Sequence, residues 1–132
     1  MLAVLGLVVG AAVRQPAKGL KADSTTINDD GKFSSSQEGA ESFAHISGFL
    51  RGEQKSCQKK AGQDPIKGAP CAARGIAGGY AQDYAVRSLH CTLPGVDEMR
   101  RNLREMLLSV KRLDADPKNA PPPPQPSPPN CS

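Results

Sequence analysis

Residues 91–113 read CTLPGVDEMRRNLREMLLSVKRL, and this stretch decides the fold. Its apolar side chains recur at steps of three and four residues, which places them on one face of an α-helix. They are Val96, Met99, Leu103, Met106, Val110 and Leu113. Pro94-Gly95 interrupts whatever precedes this stripe, because proline and glycine break regular structure. The pattern predicts a helix over 96–113 whose apolar face packs into a core.

Two further helices are predicted upstream. Ser35 and Glu38 form a capping-box pair, which begins a first helix over about 36–52. An extension of this helix to Cys57 is the alternative. A second helix is predicted over 70–90, since the proline at its first position has no N–H to leave unsatisfied. The intervening QKKAGQDPIKGA, residues 58–69, contains proline, glycine and lysine and predicts a loop.

The second predicted helix contains three glycines, Gly75, Gly78 and Gly79. Each costs about 1 kcal/mol relative to alanine in a helix, so their presence indicates that another helix backbone approaches closely. The alternative is a helix broken at these glycines. No stretch shows the alternation typical of a strand. The sequence therefore predicts an all-α fold over 35–113, a small disulfide-stapled bundle of about three helices.

The two ends of the chain differ from this helical part. Residues 1–12 are uncharged and mostly apolar, which predicts a cleaved export signal. An uncleaved anchor or a buried segment is the alternative. Residues 1–12 are too few to cross a bilayer, which needs about 20 residues, so no stable membrane span is expected after cleavage. The polar residues 13–34 predict a flexible lead. Residues 114–132 form a Pro-rich tail of polyproline II type, ending near a last cysteine.

Four cysteines after an export-like N-terminus indicate two disulfides, and hence the periplasm or the cell exterior. A helix between Cys71 and Cys91 separates them by about 30 Å, far beyond the roughly 7 Å that a disulfide allows. Antiparallel packing favours Cys57–Cys71, and the tail is long enough to bring Cys131 back to Cys91. The pairing of Cys57 with Cys91 and of Cys71 with Cys131 stays as the second possibility.

Composition argues against several functional classes. The net charge of +4 is dispersed and there is no tryptophan, which disfavours a nucleic-acid partner. His90 adjoins Cys91, but neighbouring residues at a helix end point in different directions, and a catalytic thiol would leave an odd cysteine. His45, Cys57, Cys71 and His90 lack the spacing of a zinc site. We therefore expect neither an enzyme nor a cofactor.

Three stretches carry a resemblance to a known family. Cys71 opens the helix CAARGIAGGY, Cys91 is followed by TLPGV and the heptad helix, and Cys131 closes the pattern. This arrangement resembles the Rap/Tai family of type VI secretion immunity proteins. The resemblance implies a small, exported, all-helical and disulfide-bonded protein, often a homodimer. It also implies binding in the groove of a peptidoglycan amidase delivered by a neighbouring cell.

An inhibitor of this kind needs a rigid scaffold and a protruding segment. The loop 58–69, tethered by Cys57 and Cys71, is the candidate protrusion that contacts an acidic groove. The other interpretation is a solvated loop without a binding role. Its predicted contact residues are Lys59, Lys60, Gln63 and Lys67. The sequence thus predicts an exported protein-binding protein, an immunity protein against a cell-wall amidase. The alternative is an unrelated exported helical interaction or structural module that uses its Pro-rich tail.

Overall fold

A computed structural model describes residues 32–131. They form three helices: α1 (Ser36–Ala61), α2 (Pro65–Ser88) and α3 (Leu93–Ala115). The predicted all-α fold is confirmed. The predicted export signal, residues 1–12, and the predicted lead up to residue 31 lie outside the described residues.

The three helices alternate in direction. The end of α1 is linked to the start of α2 by the Cys57–Cys71 disulfide. At the opposite end of the bundle, the Ser36 hydroxyl at the start of α1 donates to the carbonyl of Cys91, just before α3. Helices α1 and α3 therefore run in the same direction and α2 runs between their ends in the other.

The start of α1 follows the capping-box prediction. The Ser35 hydroxyl accepts from the Glu38 backbone N–H at 3.0 Å, and the Glu38 carboxylate reaches back to accept from the Ser34 backbone N–H. The first bond satisfies a donor that a helix start otherwise leaves open, and the second ties the residue before the cap to the first turn. Phe33, inside the predicted lead, packs its ring edge-on against Phe43 with 5.5 Å between ring centres.

The predicted bounds of the first two helices are wrong. Helix α1 continues past Gly52 to Ala61, and α2 begins at Pro65 and not at Pro70. Gly52 does not end the helix, because a single helical glycine costs only about 1 kcal/mol and tertiary packing overrides it. Proline does hold the first position of α2, but it is Pro65, and Pro70 lies buried inside the helix.

The core lies where the apolar stripe of α3 meets α1 and α2. All six stripe residues from Val96 to Leu113 are buried, so the predicted core face is confirmed. The facing side chains come from α1 and α2. They are Phe43, Ile46, Leu50, Ala73, Ala77, Ala81 and Tyr84. Small residues dominate the contribution of α2, which lets α1 and α3 pack close to it.

The predicted close approach at the glycines of α2 is confirmed at Gly78. A Cβ there would lie 3.5 Å from Leu50 Cβ, and the Ser47 hydroxyl of α1 donates to the Gly78 carbonyl at 3.0 Å. Gly75 is also covered, by the Gln54 side chain, whereas nothing lies within 4 Å of a Cβ at Gly79. The prediction is therefore wrong for Gly79.

The favoured disulfide pairing is confirmed, since Cys57 bonds to Cys71 and Cys91 to Cys131. The second bond returns the Pro-rich tail to the end of the bundle where α3 begins. We call residues 120–131 the strap. At the end of the strap, a Cβ on Gly95 would lie 3.0 Å from the Asn130 carbonyl oxygen, so the absence of a side chain there lets the two backbones meet.

The strap packs against the bundle with a period of three residues. Pro123 and Pro129 are buried and Pro126 is half-buried, while the prolines between them are exposed. Three residues per turn is the repeat of a polyproline helix. At 3.1 Å per residue the strap spans about 34 Å, which matches about 34 Å for the 23 residues of α3. The Pro-rich tail, predicted to be of polyproline II type, thus packs against the bundle.

Tyr84 gives the core a titratable group. Only 1 % of it is exposed, and Asn102 donates to its hydroxyl at 3.3 Å. Burial raises the pKa of Tyr84 above 10.0, and the hydrogen bond from Asn102 partly opposes this. A tyrosine whose pKa is higher in the folded chain than in the unfolded chain increases the free energy of unfolding, and it does so fully at any pH below its unfolded pKa. That contribution is lost as the pH rises through the folded pKa.

We expect the folded Tyr80→Phe variant, in which Tyr84 is the remaining tyrosine, to form tyrosinate above pH 10. The same variant in denaturant should titrate at about pH 10. Absorbance of tyrosinate against pH measures both, and chemical unfolding at pH 8 and pH 10.5 measures the loss of stability. A folded titration midpoint at or below the unfolded one would show that Tyr84 is open to water.

Candidate binding surface at the disulfide-linked tip

The end of the α1–α2 hairpin is closed by a covalent link. Cys57 lies near the end of α1 and Cys71 near the start of α2, with 5.4 Å between their Cα atoms. We call residues 57–71 the tip. The disulfide sits below the turn and holds the two helix ends together, so the tip is a rigid projection of the hairpin.

The connection between the helices is three residues long, and local chemistry explains it. Gly62 ends α1 with a φ of +60°, a conformation that glycine adopts without strain, and its N–H bonds to the Gln58 carbonyl. Asp64 then caps α2, because its carboxylate accepts from the backbone N–H groups of Ile66 and Lys67.

The predicted loop 58–69 is therefore wrong as a loop. Lys59 and Lys60 lie in the last turn of α1, Lys67 lies in the first turn of α2, and only Gln63 is in the connection. The structure does bring all four into one short hairpin end, and all four are exposed. The three lysine side chains project from helices, which fixes their backbone positions more firmly than a loop would.

The tip is positively charged and partly apolar. Within residues 32–131, no ion pair involves Lys59, Lys60 or Lys67. The nearby Asp64 is occupied by the cap of α2. Ile66, which was not predicted, exposes 47 % of its surface beside Lys67. The arrangement suits binding to a surface that offers carboxylates around an apolar contact.

A charge cluster behind the tip joins all three helices. Arg74 of α2 donates through two nitrogens to the carboxylate of Asp114 at 2.8 Å each, and through Nε to Glu53 of α1 at 3.2 Å. The hydrogen bond to Asp114 raises the pKa of Arg74, although burial opposes the rise. The bidentate pair fixes the end of α3 to the base of the tip.

Sequence patterns could not identify this cluster. Arg74 is 21 residues from Glu53 and 40 residues from Asp114, and no local motif joins them. What the cluster does is mechanical, since it holds the three helix ends that carry the tip. Its carboxylates are already paired with a guanidinium, so they do not neutralise the tip lysines.

Residues 32–131 offer neither a free thiol nor a metal-binding cluster. Each of the four cysteines is in a disulfide, so Cys91 carries no thiol for His90 to activate. In this part of the chain no three His, Cys, Asp or Glu side chains come together as a metal site would require. Nor is any of the three helices both long and apolar enough to cross a bilayer.

Comparison of the chain with known protein families, with curated proteins and with solved structures finds no match.

Proposed function

We propose that this chain is an exported binding protein that neutralises a peptidoglycan amidase by occupying its substrate groove. The observation that carries the proposal is the tip, a covalently closed helical projection with exposed lysines at its end. A rigid projection loses little conformational freedom on binding, which favours affinity. Its charge suits a groove lined with carboxylates.

Two further features support an exported inhibitor. Both disulfides are within the chain, as expected of a small protein in an oxidising compartment, the periplasm or the cell exterior. The pattern of Cys71, Cys91 and Cys131 with its Gly-rich and heptad helices resembles the Rap/Tai immunity proteins. The groove of an amidase delivered by a neighbouring cell is the partner surface that this resemblance implies.

The proposal is tested by inhibition of an amidase effector encoded beside the gene for this chain. We expect Lys59→Glu/Lys60→Glu to weaken binding roughly 100-fold, because reversed charges facing carboxylates cost several kcal/mol. The matched control is Lys32→Glu/Arg101→Glu, which makes the same charge change at exposed positions outside the tip. It should bind like the unmodified chain. Calorimetric titration and release of muropeptide fragments measure the two effects.

Two results would contradict the proposal. An amidase that stays fully active with excess chain would exclude inhibition. An equal loss of affinity in the tip variant and in its control would show that overall charge, and not the tip, determines binding.

A further inference from the structure

The two disulfides lie in different surroundings. Cys57 and Cys71 both belong to helices, and Cys71 exposes only 1 % of its surface. Cys91 and Cys131 lie outside the helices, and both are half-buried. Thiol–disulfide exchange begins when a thiolate reaches one sulfur atom of a disulfide, so access helps to determine which bond reacts. The Cys91–Cys131 bond offers two partly exposed cysteines to such an attack, whereas the Cys57–Cys71 bond offers one.

Helix α3 stabilises a thiolate that leaves from Cys91. Cys91 comes just before the start of α3, and a Cβ on Gly95 would lie 2.5 Å from Cys91 Sγ, so the sulfur packs on the first turn of the helix. Helix N-termini stabilise thiolates, because their open N–H groups and the helix dipole favour negative charge. Within the described part of the chain, the cap residue Thr92 accepts no hydrogen bond through its side chain from this turn. Those N–H groups are therefore available to the sulfur.

The Cys57–Cys71 bond has no comparable leaving group. Attack on Cys57 would expel Cys71 as a thiolate in its buried position, and burial in apolar surroundings disfavours a thiolate. Attack on Cys71 is hindered by the same burial. It would also expel Cys57, which lies near the C-terminal end of α1, where the helix dipole disfavours negative charge. The surroundings of the two bonds thus favour exchange at Cys91–Cys131.

We propose that Cys91–Cys131 is a thiol–disulfide exchange site for a dithiol, such as the paired thiols of an oxidoreductase, and that Cys131 is the attacked cysteine. The incoming thiolate bonds to Cys131 Sγ, the S–S bond breaks, and its electron pair leaves on Cys91, which takes up a proton from water. The second thiol of the dithiol, once deprotonated, then displaces Cys131, which is protonated in turn. The dithiol is oxidised to a disulfide, and the two cysteines are reduced to thiols.

Exchange at this site releases the strap and leaves the tip closed. Once the bond is open, no covalent bond holds the C-terminal end of the strap on the bundle. The Cys57–Cys71 bond closes the tip at the opposite end of the bundle and stays intact. The exchange site therefore does not depend on the amidase proposal, which concerns the tip.

Limited reduction of the folded chain tests which bond reacts. Dithiothreitol at about pH 8 without denaturant, followed by an acid quench, alkylation and peptide mass spectrometry, gives the opening rate of each disulfide. We expect Cys91–Cys131 to open at least about tenfold faster than Cys57–Cys71. Glutathione, a monothiol, identifies the attacked cysteine, because its mixed disulfide should form on Cys131. Opening of Cys57–Cys71 at an equal or higher rate, or glutathione bound mainly to Cys91, would overturn the proposal.

Two variants of Thr92 test the part that α3 plays. Aspartate and asparagine both cap a helix start, but only aspartate places a negative charge beside Cys91. We expect Thr92→Asp to open the Cys91–Cys131 bond at least about threefold more slowly than Thr92→Asn, because the charge opposes the departing thiolate. The Cys57–Cys71 bond should open at the same rate in both variants, which controls for unfolding of the whole domain. Equal opening rates of Cys91–Cys131 in the two variants would show that Cys91 is not the leaving group.

Discussion

Replacing Cys91 and Cys131 together with serine will lower the free energy of unfolding by about 4 kcal/mol. The bond joins residues 40 apart in sequence, and the entropy that such a closed loop removes from the unfolded chain sets this magnitude. Loss of the bond also frees the strap. No covalent bond then holds Pro123 and Pro129 in their buried positions.

Urea unfolding followed by circular dichroism measures the change, and the other disulfide provides the comparison. Cys57 and Cys71 are only 14 residues apart, so their replacement with serine should cost about 3 kcal/mol. The order of the two losses is the sharper test. If replacing Cys91 and Cys131 lowered the free energy of unfolding by less than replacing Cys57 and Cys71, the strap would not pack favourably on the bundle. The packing described for the strap would then be wrong.

Leu103→Ala should lower the free energy of unfolding by about 3 kcal/mol. Leu103 has no exposed surface and lies in the middle of the apolar stripe of α3. Truncation removes buried methyl groups and leaves a cavity that the surrounding helices only partly fill, and both terms destabilise the fold.

The matched control for this prediction is Leu89→Ala. Leu89 follows the end of α2 and exposes 59 % of its surface, so the same chemical truncation should change stability by less than about 0.5 kcal/mol. Urea unfolding of both variants at one protein concentration compares them directly. Equal losses in the two variants would show that Leu103 does not lie in the core.

Helix α3 and the disulfides could be predicted because their signals are local or geometric. The spacing from Val96 to Leu113 reports a buried helix face without reference to any other part of the chain. The pairing of Cys57 with Cys71 follows from the length of one helix and the direction of its neighbour. Neither inference needed knowledge of how side chains interlock.

The extent of α1 and the start of α2 could not be predicted because competing local signals have similar strengths. Gly52 and Gly62 are the same residue type, yet only Gly62, with a φ of +60°, ends a helix. Pro65 and Pro70 each suit a first helical position, and the cap from Asp64 decides in favour of Pro65. The predicted loop 58–69 is too long because neither Gly52 nor Pro70 marks a helix limit.

The packing of the strap and the Arg74 cluster were out of reach for a different reason. The bundle covers every third residue of the strap fully or in part, but seven of its twelve residues are proline, at covered and exposed positions alike, so the sequence does not show that period. The contacts of Arg74 depend on where three helix ends meet in space. The tip lysines were identified by charge alone, and the helical positions that hold them were not.

The bond between Cys91 and Cys131 also determines how the protein carries tension. A pull applied to the chain beyond Cys131 passes through the sulfur atoms to Cys91, so α3 and the strap bear none of it. The load enters at the end of the bundle where α1 begins, opposite the tip. A bead or surface coupled beyond Cys131 would leave the tip lysines facing outward. Until the disulfide is reduced, tension applied at that point would not unfold α3 or detach the strap.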